Sequence, residues 1–319
     1  MVTLKDIAQK AGVSLSTVSN ALNGRKNIGP ETRDRILAIC EEMHYQPNLI
    51  GRSLKTGNSR VIMFNFTDFD RGFYLKIIEG ISDYVYAKDY DLIICTSRSC
   101  EKFMNQSFTS GCITLDRHCS DSLLSAYASE KYPIISMDRM INAPFIKSVV
   151  VDNYSAQRSL MEQVIQRGFR SYAFLQGFPS EDSSQRYAGF LDALTQHGIP
   201  FKQENLYQGD YKERSGYQTA RLIMLKSQLP EVLVCANDNM AIGAIKAFRE
   251  NGLRVPEDIS VTGFDDDGRA KEFDLTTVEI PNYERGYIAA QYLLANIEGA
   301  ADYGTCKIST RVKWRSTVR

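Results

Sequence analysis

The sequence predicts a small all-α headpiece followed by an α/β body of two doubly wound parallel-sheet lobes. The first two dozen residues repeat apolar side chains at helical spacing around one tight turn. From residue 60 onward, short apolar β-branched runs alternate with amphipathic stretches, the pattern of parallel strands covered on both faces. The body is about 260 residues of a 319-residue chain, more than one sheet comfortably holds.

In VTLKDIAQKAGVSLSTVSNALNG, Thr3 is a good N-cap, and Asp6 stands three residues on to complete a capping box. Leu4, Ile7, Ala8 and Ala11 form one apolar stripe, and Gly12 then takes the left-handed turn that other residues resist. Ser14 caps a second helix whose inner face is Val18, Ala21 and Leu22. Ala8, Gly12 and Val18 fall where a helix-turn-helix needs a small residue, a turn residue and a core anchor. The outer face, Leu15, Ser16, Ser19, Asn20 and Asn23, is small and polar and suits base edges in a major groove. An ordinary helical hairpin shares this apolar pattern, so the segment that follows decides between them.

Pro30 opens a third helix to about residue 43, with Ile36, Leu37, Ile39, Cys40 and Met43 as its inner side. Pro47 forces the residue before it out of helical geometry. Asn48 then caps residues 49–55, about two turns, too short to hold alone in water. A basic segment of this kind folds against a partner. Its apolar tip, Leu54, is an incidental side chain in a plain linker or a wedge between base steps in a minor groove.

Charge distribution favours the second reading. The chain balances 38 bases against 38 acids, yet up to Arg60 it carries nine bases and five acids. A basic head on an acidic body is the footprint of a phosphate-binding module, with Arg25, Lys26 and Arg52 as candidate contacts. Seven cysteines with no CxxC pair read as reduced, mostly buried thiols of a cytoplasmic protein. The three histidines stand at no ligand spacing, so no metal is expected. The first residues enter a capped helix rather than an export signal, and no apolar run matches a membrane span. No GxSxG elbow, P-loop or GxGxxG occurs, so neither catalysis nor a cofactor is expected.

Body strands are expected at 60–66, 91–96, 112–115, 133–137, 148–151, 171–176, 231–236 and 259–263. Helices are expected at 73–88, 154–167, 185–197, 213–225, 239–251 and 283–297. Sheets of this kind bind ligands beyond the carboxyl ends of their strands. Asp68, Phe73 and Tyr74 follow the first strand, Asp138-Arg139 the fourth, Asn237-Asp238 the seventh and Phe264 to Asp267 the eighth. Aromatic rings stack on sugar rings while Asp, Asn and Arg bond hydroxyls, chemistry for a small polar ligand. Asp and Asn after a strand are often just helix caps, so each of these residues reads either way.

TLKDIAQKAGVSLSTVSNALNG, ETRDRIL, YQPN and GRSLKTG, in this order, resemble the DNA-binding head and hinge of the lactose-repressor/galactose-repressor (LacI/GalR) family. RYAGFLDAL, QGDYKERSGY and CANDNMAIGAIKAFRENGLRVPEDISVTGFDDD resemble that family's body. The resemblance implies a headpiece at 1–46, a hinge helix at 47–58 and a periplasmic-binding-protein-like effector-binding and dimerisation domain at 59–319. The strand pattern divides that domain into lobes that exchange chain, about 60–151 plus 280–305 and 152–279 plus 306–319.

By position, Leu15, Ser16 and Asn20 resemble the family's base readers and Leu54 its minor-groove wedge. Thr3, Thr17, Ser19, Asn23, Arg25, Lys26, Asn48 and Arg52 complete the expected DNA-binding set. Phe73, Tyr74, Asp138, Ser184, Arg186, Tyr211, Asn237 and Asp265 are the expected effector contacts. Asn20 stands where many relatives carry arginine, and an asparagine reads adenine instead. Gly29 replaces the usual Ser or Thr cap, and Ser184 an arginine that some relatives use.

The expectation is an operator-binding transcription regulator, a repressor, homodimeric, switched by a small polar effector. On chemistry a sugar, a sugar phosphate and a nucleoside fit equally; the resemblance favours carbohydrate. No leucine heptads close the chain, so the dimer and not a coiled-coil tetramer is expected. The alternative is a sugar-binding protein with no regulatory role. Replacing the wedge, Leu54→Ala, is expected to weaken operator retention in a gel-shift assay while effector affinity by calorimetry stays unchanged. Equal operator affinity would remove the wedge.

Overall fold

The computed structural model describes residues 2–22, 25, 27–45, 59–67, 72–105, 108–300 and 303–319. The expected hinge at 47–58 with Asn48, Arg52 and Leu54, together with Asn23, Lys26 and Asp68, lies outside them. The chain divides into two compact units, Met1–Gly57 and Asn58–Arg319.

The first unit is three helices, α1 (Leu4–Ala11), α2 (Leu15–Leu22) and α3 (Pro30–Glu42). The Asp6 carboxylate accepts from the Thr3 backbone and hydroxyl, both at 2.8 Å. This ties down the first turn of α1 and places an acid where the helix dipole favours one. Gly12 sits at φ +66°, and Val13 N–H returns to the Ala8 carbonyl at 3.1 Å, closing α1. Ser14 Oγ accepts from Thr17 N–H at 3.1 Å and starts α2. Ile7, Ala8, Ala11, Val18, Ala21, Ile36 and Cys40 form the core. Leu37, expected inside, is 41% exposed. It lies one residue, about 100° of helix, from Ile36, which takes the inward position.

In the second unit, β1 (Val61–Phe66), β2 (Asp91–Thr96), β3 (Gly111–Leu115), β4 (Ile134–Ser136), β5 (Ile146–Val151) and β11 (Cys306–Ile308) form one sheet. Its order is β11-β5-β4-β3-β1-β2, all parallel. Strand alternation divides its packing. Ile62 and Phe64 face Ile77, Ile81 and Val85 of α4 (Phe73–Tyr86) and Ala289 and Leu293 of α12 (Asn282–Ile297). Met63 and Cys112 face the other way, toward Cys100 of α5 (Cys100–Phe103) and Leu124 of α6 (Asp121–Tyr127).

The second sheet is β7 (Leu206–Gln208), β6 (Tyr172–Gln176), β8 (Val232–Cys235) and β9 (Ser260–Thr262), in that order and parallel. Isolated bridges, Thr262 to Thr276 and Asp265 to Glu279, bring β10 (Thr277–Glu279) alongside β9, and β12 (Arg311–Lys313) pairs antiparallel with β10. The helices are α7 (Asn153–Gln166), α8 (Glu181–Gln196), α9 (Glu213–Met224), α10 (Asp238–Glu250) and α11 (Gly268–Glu272).

Both sheets place their first strand inside, between neighbours that follow it in sequence, so each has the strand-order reversal at which such folds bind ligands. The chain passes between the sheets after β5, after β10 and after β11. This corrects one expected boundary: Cys306–Ile308 pairs with β5 in the first sheet, not the second. The exchange falls after Ile308 because Cys306 and Ile308 complete the apolar packing at that sheet's edge. Among the described residues no helix is long and apolar enough to cross a membrane.

Two glycines hold α4 and α12 backbone to backbone. A Cβ on Gly80 would overlap the Tyr283 carbonyl, and one on Gly286 the Ile77 carbonyl. The contact brings the first turn of α12 beside the first turns of α4, which carry Phe73 and Tyr74. Gly286→Val is expected to push the helices apart and destabilise the second unit by about 1–3 kcal/mol, the usual cost of overpacking. A urea denaturation midpoint indistinguishable from the wild type would show that the contact tolerates a side chain.

Candidate functional site

Two sites emerge, one on each unit. On the first, α2 presents Leu15, 44% exposed, with Ser16 exposed and Thr17, Ser19 and Asn20 half-buried beside it. Ser14 Oγ lies 2.7 Å from Ser16 Oγ and 2.8 Å from Thr17 Oγ1, so the hydroxyls at the start of α2 form a connected cluster. Thr3 is exposed with its hydroxyl engaged by Asp6, and Arg25 is exposed after α2. The face offers one apolar side chain, several hydroxyls and one amide, with a helix N-terminus at its edge. Those groups suit base edges and phosphates.

On the second unit, a cleft of about 360 Å³ lies at the carboxyl ends of both sheets. Phe73, Tyr74 and Tyr211 supply aromatic surface to it. Tyr74 is buried against Phe66, ring centroids 4.7 Å apart, with Phe73 at 4.5 Å. The Tyr211 ring lies against Gly177, where any Cβ would overlap it. Arg186 is 6% exposed and fully engaged. Its Nε donates to Asn153 Oδ1 at 2.8 Å, Nη1 to the Ala236 carbonyl, and Nη2 lies 3.6 Å from Asp265 Oδ1. Its guanidinium carbon also sits 3.7 Å from the centre of the Phe264 ring. Asn153 passes the network on, donating to Asp182 at 2.8 Å.

The first sheet's side is equally ordered. Arg139 bonds Asp138 at 2.6 Å, Asp121 at 2.7 Å and the Cys119 carbonyl. Burial pushes Asp138 above the usual carboxylate range; Arg139 opposes the shift and Asp182 adds to it. Arg117 stacks on Phe178 at 4.3 Å, a contact between the two lobes.

Of the expected effector contacts, Phe73, Tyr74, Asp138, Arg186, Tyr211 and Asp265 line this cleft. Two do not. Ser184 is exposed on α8, two residues and therefore about 200° of helix from Arg186, so both cannot face one cleft. Asn237 is buried and caps α10, accepting from Met240 N–H at 3.1 Å and donating to the Tyr211 carbonyl at 3.0 Å. It holds Tyr211, at φ +65°, rather than facing the cleft. Sequence reasoning missed Arg117, Asn153, Asp182 and Arg285, which also line the cleft. For Asn153 the signal available was a polar residue opening a helix just after a strand.

Adjacent acids divide their work. Asp265 faces Arg186, Asp266 bonds Arg315 at 2.7 Å, and Asp267 caps α11 by accepting from Arg269 N–H at 3.0 Å. Asp238 is buried behind them, accepting from Thr277 Oγ1 at 2.5 Å and Asp267 N–H at 2.9 Å. Burial, then the nearby Asp265, holds its carboxyl well above the usual range. Among the described residues no group of three His, Cys, Asp or Glu stands ready for a metal ion.

Comparison with known proteins follows the same division. Residues 3–48 match the family model described as bacterial regulatory proteins, lacI family, and residues 161–318 that of a periplasmic binding protein-like domain. The HTH-type transcriptional repressor PurR of Erwinia tasmaniensis is 36% identical over 313 residues, 93% of this chain and 91% of that one. The chain belongs to the lacI family of bacterial regulatory proteins. The probable HTH-type transcriptional repressor ExuR of Bacillus subtilis is 34% identical over 310 residues, covering 93% and 92% of the two chains. The crystal structure of the lac repressor dimer bound to operator and the anti-inducer ONPF aligns over 99% of both chains at 27% identity, with a TM-score of 0.86. The family consists of DNA-binding regulators, not enzymes.

Asn237 yields a prediction about this family's cleft in this chain. Asn237→Ala removes a helix cap, at a cost of about 1 kcal/mol, and releases the Tyr211 carbonyl. Effector affinity is expected to fall although Asn237 does not line the cleft. Thermal shift and calorimetry measure both, and unchanged affinity would show that Tyr211 is held without it.

Proposed function

We propose that this regulator is a cytoplasmic, homodimeric operator-binding repressor whose hold on DNA is set by a small polar effector, a carbohydrate, in the cleft of the second unit. The observation that carries the reading is the pairing of Arg186 with Asp265 beside three aromatic side chains, at the carboxyl ends of two doubly wound sheets. Rings on that wall stack on the apolar face of a sugar, and the ion pair and Asp138 bond its hydroxyls. The relatives named above are called transcriptional repressors, which supports the same sign of regulation.

In this reading Leu15, Ser16, Ser19 and Asn20 meet base edges in the major groove, while Thr3, Thr17 and Arg25 meet phosphates. Asn23, Lys26, Asn48, Arg52 and Leu54 extend the DNA contacts. A twofold dimer reads a pseudo-palindrome, and its affinity falls steeply with salt as counterions are displaced. An effector shifts DNA affinity only by binding one state of the body more tightly than the other.

The competing reading, a sugar-binding protein without regulation, gives the basic headpiece no task. Removing residues 1–57 separates the two. The truncated protein is expected to keep ligand binding and lose duplex retention; retained operator binding would sink the repressor assignment. In the full chain, Asp265→Asn is expected to weaken the effector response about tenfold or more, the scale of one charge-assisted hydrogen bond, while operator retention without effector persists. An unchanged dose response would remove Asp265 from the site.

A further inference from the structure

Among the described residues four arginines line the cleft, and three of them are already spoken for. Arg186 has a carboxylate, an amide oxygen and a carbonyl; Arg139 has two carboxylates and a carbonyl; Arg117 lies across an aromatic ring. Arg285, in the first turn of α12, differs. It is 5% exposed and lines the cleft. Its Nη2 donates to the Met137 carbonyl at the end of β4. Its buried Nε–H has no acceptor among the described residues.

No carboxylate forms an ion pair with Arg285 among the described residues. Asp182, Asp138 and Asp265 act on it only from beyond contact distance. Burial pulls the guanidinium below its ordinary value against their attraction. Each of those three acids already has a partner of its own: Asp138 has Arg139 and Ser136, Asp182 the amide of Asn153, and Asp265 Arg186. The Arg285 Nε–H is thus a buried donor in the cleft wall with neither an acceptor nor a countercharge among the described residues.

We infer that the effector is a sugar acid, a polyhydroxy compound carrying one carboxylate, and that Arg285 receives that carboxylate. This rests on the cleft reading proposed above. A hydroxyl would give Arg285 an acceptor but no countercharge. A carboxylate gives two coplanar oxygens matched to the guanidinium fork, plus the missing charge. A phosphate dianion fits less well, since Asp138, Asp182 and Asp265 surround the place and the other two buried cations are committed to carboxylates. The same acids accept from the hydroxyls of the rest of the molecule, and Phe73, Tyr74 and Tyr211 take its apolar face.

The test is calorimetric titration of the full-length protein with glucuronate, galacturonate and gluconate. Glucose, galactose and glucose 6-phosphate serve as controls. At least one sugar acid is expected to bind about tenfold or more tightly than its neutral parent and than the phosphate, the scale of a charge-assisted bidentate contact. Arg285→Met, close in size and uncharged, is expected to lose that preference while its melting temperature holds or rises, because a buried cation is gone. Arg285→Lys is expected to keep part of it and guards against a folding defect in the methionine variant.

A neutral sugar or the sugar phosphate binding as tightly as the acids overturns the inference and leaves the cleft reading standing. So does sugar-acid affinity that Arg285→Met leaves intact, or a protein indifferent to all three acids. Sugar-acid affinity unmoved by both Asp265→Asn and Tyr74→Ala overturns the cleft reading itself.

Discussion

The guanidinium of Arg186 ties together four pieces of chain that meet where the second sheet ends. It projects from α8, bonds the first residue of α7 through Asn153, reaches the carbonyl after β8 and faces the acid after β9. A charge buried to this degree is tolerable only when its donors are met, and removing one partner of such a pair costs about 3–5 kcal/mol. The network therefore fixes the relative positions of three strand ends before any ligand arrives. Asp265 adopts φ +113° to take part, a conformation that side chains rarely accept. The surrounding β10 bridge holds it there, with Asp265 N–H donating to Val278 at 2.9 Å.

The long elements were legible because each carries its own period. α4, α7, α9, α10 and α12 begin and end within two residues of the expected ranges, since apolar stripes run along them and side-chain caps open α7 and α10. α8 begins four residues before its expected start, at Glu181, because Ser180 caps it by accepting from Ser183 N–H at 3.2 Å. Short pieces were not legible: α6 at seven residues and β10 to β12 at three each carry too little pattern to announce themselves. Their state is decided by neighbours far along the chain.

The cleft divides in the same way. Arg186 and Asp265 stand in recognisable local patterns, and both reach it. Arg285 sits in YERGYIAAQYLL, where an arginine among amphipathic spacing reads as solvent-facing. Its burial follows from α12 meeting the end of β4, 148 residues earlier in the chain, and from the glycine contact with α4 that lets the helix come so close. Asn237 illustrates the converse. A cap and a ligand contact look identical in sequence, and only the carbonyl of Tyr211 shows which task the side chain performs.

The antiparallel pair of β10 and β12 places the last strand among the described residues beside a lobe whose other strands all lie earlier in the sequence. The second lobe is thus not finished until β12 has been synthesised, after the first lobe's β11, and neither lobe corresponds to an uninterrupted stretch of gene. A premature stop that spares every cleft residue would still strip β12 from its neighbour and uncover Val278 and Thr276, whose partners Val312 and Arg315 lie beyond it. Recombination between related genes faces the same constraint, because a cassette cut at either lobe boundary carries strands belonging to its counterpart.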